Sequence, residues 1–138
     1  MKALTFLLVL LATVASGCGN MFKGKQAGEQ SVLGFHQLYN DGKYAEMYAA
    51  SDAKFKSASA EKGFLDLMAA VQRKLGKVTE SVNGGFRVQT FNFTTTVVLN
   101  QNTKFERGAG TEVFTFEMAG GKAVLVGYNI NSQDLILK

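Results

Sequence analysis

The chain has 138 residues, a formal net charge of +4, one cysteine, one histidine, and neither tryptophan nor proline. This length makes a single domain with a real core once a leader is set aside. One cysteine excludes an internal disulfide framework, one histidine leaves no His/Cys spacing for a metal centre, and basic residues scattered among acids (Lys54, Lys56, Arg73, Lys74, Lys77) exclude a nucleic-acid-binding stripe.

The first seventeen residues read as a leader. Lys2 supplies a positive start, and Leu4–Val14 is apolar except for Thr5 and Thr13. That run is too short to span a membrane, which takes about 20 apolar residues. Ala15, Ser16 and Gly17 are small, and Cys18 follows them directly. An ordinary secretory signal would share this layout but leave Cys18 without a purpose. The stretch resembles the lipobox of bacterial lipoproteins. That resemblance implies cleavage between Gly17 and Cys18, removal of residues 1–17, and a lipid bilayer as partner through acylated Cys18. Gly19 in place of aspartate after the cysteine implies the outer membrane, facing the periplasm, in a diderm host. Several acyl chains, at about 0.8 kcal/mol per buried CH₂, make such an anchor permanent.

Residues 18–28 then hold the lipidated cysteine and a tether. Gly19–Gly28 (GNMFKGKQAG) has a flexible composition and an expected span of about 18 Å. Lys23 and Lys25 are placed to reach anionic lipid heads. One domain, residues 29–138, follows.

Helical signals come first. Val32, Phe35, His36 and Tyr39 recur at helical spacing and predict a helix over Glu29–Asn40, stopped by Asn40-Asp41-Gly42. A short helix is predicted over Lys43–Ala50, with Tyr44, Met47 and Tyr48 inward and Phe55 as an anchor beyond it. A third, over Ala60–Leu75, carries Phe64, Met68, Val71 and Leu75 on one face, with Ser59 as cap and Gly76 as stop.

Strand signals follow. Val78–Val82 reads as a strand closed by Asn83-Gly84-Gly85. Phe86–Leu99 reads as one long strand turned by Asn100-Gln101-Asn102. Thr103–Met118 reads as a third, bent at Gly108-Ala109-Gly110, and Ala123–Asn131 as a fourth after an Ala119–Lys122 hairpin. Short turns force antiparallel pairing. The expected fold is α+β: three N-terminal helices on a curved four-stranded antiparallel sheet.

Phe35, Tyr39-Asn40-Asp41-Gly42-Lys43-Tyr44, Phe55, Phe64, Leu75-Gly76 and Gly127-Tyr128-Asn129-Ile130 resemble small exported members of the nuclear transport factor 2-like families, many of them domains of unknown function. The likeness spans Glu29 to Ile130. It implies a cone-shaped domain. The tryptophan that usually opens that family's last strand is absent here, and Ala123 stands near the place.

Enzymes of that fold place Asp, His and Tyr inside the cone. His36 faces inward on the first helix and is either a general base or a packed core-edge histidine. Asp41 falls in a turn and Asp66 on a polar helix face. Glu112 and Glu117 are expected on the solvent side, opposite Phe114 and Phe116. No inward acid is left for carboxylate chemistry, and no phosphate loop or nucleophile with a positioned base is present. His36, Tyr39, Phe91, Phe93, Phe114 and Phe116 are expected to line an apolar pocket or to pack as core. The expected role is a membrane-anchored, non-enzymatic binding module for a small apolar ligand or a protein partner, without cofactor or metal. The alternative is a small isomerase or hydratase with His36 as base and Tyr39 or Tyr128 as hydrogen-bond donor. Thr90, Thr94, Thr96 and Val98 give the outer sheet face a flat surface suited to a homodimer.

Overall fold

A helix of 26 residues, α1 (Ala15–Asn40), opens the fold. The computed structural model describes the backbone of residues 15–137 and the side chains of residues 18–137, so Lys2 and the apolar leader lie outside the described residues. Val32, Phe35, His36 and Tyr39 are buried on one face of α1, as their spacing predicts. That face continues toward the N-terminus through Gly28 and Gly24, both buried. The flexible tether expected over Gly19–Gly28 is therefore corrected: these residues are helical, and Gly24 and Gly28 are packed on the sheet. Gly24 and Gly28 permit close approach to the sheet. A Cβ on Gly28 would lie 2.9 Å from Leu99 Cδ1, and one on Gly24 would lie 3.2 Å from methyls of Val88 and Val97.

Asn40 ends α1 and fastens it to the sheet. Its side chain donates to Val78 O at 3.0 Å and accepts from Val78 N at 2.8 Å. Two short helices follow, α2 (Tyr44–Ala49) and α3 (Ala53–Ala58). Asp52 caps α3 by accepting from Lys54 N, and Phe55 is its buried anchor. In α4 (Glu61–Leu75) the expected stripe of Phe64, Met68, Val71 and Leu75 is buried. Its N-cap is Ala60, without a side-chain bond; Ser59 instead closes α3.

The sheet is an antiparallel meander of β1 (Val78–Phe91), β2 (Thr94–Phe105), β3 (Gly108–Ala119) and β4 (Lys122–Asn131). Four strands were expected, but two of the three breaks fall elsewhere. Phe86–Leu99 is not one strand: it folds back at Asn92-Phe93, both with positive φ. Such a primed turn favours Asn-Gly, and a phenylalanine in the second place hides the signal. Asn83-Gly84-Gly85 is a bulge inside β1 rather than a turn, with the register shifting between Asn83 and Gly85. Asn100-Gln101-Asn102 runs through the middle of β2, and Gly108 and Gly110 pair regularly with Phe105 and Thr103 instead of bending β3. The chain turns at Glu106-Arg107, whose amides bond to Lys77 O and Leu75 O at the end of α4. The Gly120-Gly121 hairpin stands as expected.

The inward face stacks Val97, Phe116 and Leu125 in one row and Leu99, Phe114 and Tyr128 in the next. Thr90 pairs with Thr95, and their hydroxyls meet at 2.8 Å. Thr90 thus shares a face with Thr95, not with Thr94, Thr96 and Val98, so the outer face loses one of its four expected residues. A last helix, α5 (Gln133–Leu137), follows β4 and packs on α4 and β3. Five helices are thus described where three were expected. The class is α+β, with the core between the helices and one face of the sheet.

Candidate functional site

A buried carboxylate lies at the centre of that core. Side chains alternate along a strand, so Glu112 shares its face with Phe114 and Phe116. The expectation that Glu112 points to solvent is corrected: it is 2% exposed. Glu117 does lie on the opposite face, where it pairs with Lys54 at 2.7 Å.

Three elements aim polar groups at Glu112, and a fourth reaches it through Thr103. His36, from α1, brings Nε2 to 2.7 Å from Oε2. Thr103, from β2, donates its hydroxyl to Oε2 at 2.6 Å. Tyr128, from β4, donates to Oε1 at 2.7 Å. Ser81, from β1, extends the network; its hydroxyl lies 3.1 Å from Thr103 Oγ1 and donates to Gln101 Oε1 at 3.0 Å. Both carboxylate oxygens are therefore occupied, as a buried charge requires. Burial alone would raise the Glu112 pKa, but the bonds from His36, Thr103 and Tyr128 outweigh it and hold the group below the ordinary value of 4.5. Burial and the Glu112 charge together push Tyr128 well above the ordinary phenol value.

Aromatic rings wall the cluster. The Phe35 and Phe114 rings approach His36 edge-on, at 6.0 and 5.8 Å between centroids. Phe114 and Phe116 stack with planes 3° apart. Both are core residues. Tyr39 is buried but belongs elsewhere: its hydroxyl donates to Gly76 O at 2.8 Å, and burial raises its pKa. Phe91 and Phe93, expected in the pocket, are 77% and 105% exposed at the β1–β2 turn. That placement follows from the turn at Asn92-Phe93, which no glycine marks in the sequence. Thr103, Ser81 and Gln101 carry no motif: the β2–β3 register brings Thr103 and Gln101 beside Glu112, and the β1–β2 register brings Ser81 to Thr103.

A cavity of about 450 Å³ opens between α1, α2 and β3–β4. Phe35, Leu38, Met47, Phe116, Ala123 and Leu125 give it an apolar floor, with Ser31, Gln37, Asp41, Lys43 and Ser51 around them. His36, Glu112 and Tyr128 do not line it; Phe35 and Phe116 stand between. His36, Thr103 and Tyr128 direct their hydrogen bonds to Glu112 and not to the cavity. Among the described residues no three of His, Cys, Asp and Glu gather as a metal set. Cys18 is exposed on the first turns of α1.

No known protein family and no curated protein matches the chain. Among solved structures it is similar to Bd1075 of Bdellovibrio bacteriovorus, at 12% identity and a TM-score of 0.51. The match covers 78% of this chain and 40% of that one. A likeness at this identity speaks for the fold alone. No described helix is long and apolar enough to cross a membrane.

Proposed function

We propose that the chain is a bacterial envelope lipoprotein, anchored through acylated Cys18 after cleavage behind Gly17. Its domain is nuclear transport factor 2-like and serves as a non-enzymatic binding module for a small apolar ligand. In a diderm host it faces the periplasm from the outer membrane. The order of helices before a four-stranded antiparallel meander supports the fold assignment. Pairing of two copies through Thr94, Thr96 and Val98 belongs to the same proposal.

One observation carries the binding role. The apolar cavity opens beside a polar cluster whose hydrogen bonds are all made internally. Ligand sites are concave, mostly apolar and edged by a few polar groups. Catalytic groups must meet substrate, and these do not line the cavity. The test is a plug. Gly34 lines the cavity and has open space where a Cβ would stand. Binding of N-phenylnaphthylamine, followed by fluorescence, should be strong in the wild-type chain and lost in Gly34→Phe. Equal binding by both would contradict the assignment.

The enzyme alternative has one observation in its favour, a carboxylate, an imidazole and a phenol within hydrogen-bond reach. It requires the core to open, because His36 is 6% exposed.

A further inference from the structure

The end of the molecule that carries Cys18 also gathers exposed apolar side chains. Gly28 of α1 lies against Leu99 and Val97, and Gly24 against Val97 and Val88. The helix therefore runs toward the β1–β2 turn as it runs toward its N-terminus. Cys18 is about 9 Å beyond Gly24 at helical rise, and Phe93 is about 13 Å beyond Val97 at strand rise. Asn20 and Lys23 share a groove with Thr95, Met118 and Gly121, which adds the β3–β4 hairpin to the same end. Met21, Phe22, Phe91 and Phe93 are exposed there, with Phe22 at 65%.

The segments that build this end are poor in acids, Glu117 near the β3–β4 hairpin being paired with Lys54. Residues 15–28 and 81–105 contain no acid. Lys23, Arg87 and Lys122 are exposed, and no described acid pairs with them. Glu80, Glu106 and Asp134 stand at the opposite end, around the β2–β3 turn and α5, among Lys74, Lys77, Lys104 and Arg107. Phe93 adds an independent sign. It holds φ at 62° in a turn position that glycine fills best, and its ring touches nothing that stabilises the fold. An exposed aromatic kept at a strained position points to a surface outside the fold that receives it.

We propose that this end docks on an anionic phospholipid surface. Phe22, Phe91 and Phe93 enter the boundary between headgroups and acyl chains, while Lys23 and Lys122 meet phosphates. The proposal rests on the anchor reading in that acylated Cys18 would hold the same end at the membrane.

The chain has no native tryptophan, so single tryptophans report position. Phe93→Trp and, as a control at the other end, Ile136→Trp are placed in the full chain and reconstituted in phosphatidylglycerol–phosphatidylcholine vesicles. The Phe93→Trp probe should shift to shorter wavelength and be quenched by lipids brominated on the acyl chains. The Ile136→Trp probe should do neither. Emission from Phe93→Trp that stays at its value in water overturns the proposal, as does equal quenching of both probes, which would indicate non-specific adsorption or a different orientation. Adding Lys23→Glu and Lys122→Glu to the Phe93→Trp chain should weaken the quenching, and unchanged quenching overturns the role of charge. Phe93→Gly should raise Tm, whereas a ring that supported the fold would make Tm fall. Intact mass on the same samples separates the two claims: quenching without acyl mass leaves the docking surface and removes the anchor, and acyl mass without quenching does the reverse.

Discussion

His36 Nε2 and Glu112 Oε2 lie 2.7 Å apart although 76 residues separate them in sequence. This bond ties the C-terminal turns of α1 to the middle of β3, and Thr103 and Tyr128 join it from β2 and β4. Removing the carboxylate leaves three donors facing a dry core. Glu112→Ala should lose about 3 kcal/mol or more of stability, at about 1–3 kcal/mol for each buried polar group left without its partner. Glu112→Gln keeps an acceptor and should lose about 1–3 kcal/mol. Urea unfolding followed by far-UV circular dichroism checks both, and a loss under 1 kcal/mol for the alanine variant would mean that the cluster is not the lock described.

The same carboxylate sets an acid limit. Its pKa in the folded state lies below the ordinary 4.5 that it regains on unfolding. Its contribution is therefore complete above about pH 4.5 and disappears as pH falls through the folded value. Tyr128 works in the other direction: its raised phenol contributes fully below the ordinary value of 10.0 and loses that contribution as pH rises beyond it. Tm measured against pH should fall at both limits. Glu112→Gln should flatten the acid limb, and Tyr128→Phe the alkaline one.

Two glycines of α1 make a paired test. Gly28 faces Leu99 and Val97 at contact distance, whereas Gly34 faces open space. Gly28→Val should destabilise by about 1–3 kcal/mol through overpacking. Gly34→Ala should stabilise by about 0.5–1 kcal/mol, because alanine orders a helix at lower entropic cost. Thermal unfolding of both variants decides it. Equal behaviour would contradict the close packing of α1 on β1–β2.

Helix faces were legible because periodicity reports burial. Val32, Phe35, His36 and Tyr39 and the α4 stripe are buried as their spacing predicts. Glycine was ambiguous: at Gly24 and Gly28 it looked like a tether and proved to be a packing surface. Turn chemistry failed where Phe93 took a position that glycine would have marked, and this error carried Phe91 and Phe93 into a pocket they do not line. Glu112 was misassigned to the solvent face although its even spacing from Phe114 and Phe116 places it inward. The donors from Thr103 and Tyr128 depend on strand register, which local sequence does not specify. The cavity beside α1 and α2 depends on how helices pack, and no motif records it.

The most direct test of the account is the intact mass of the full chain expressed in a diderm bacterium and extracted from its membranes. The predicted result is a polypeptide that starts at Cys18 and carries acyl chains, with that added mass lost in Cys18→Ser. A chain that retains residues 1–17, or one that keeps Cys18 as a free thiol, would contradict it.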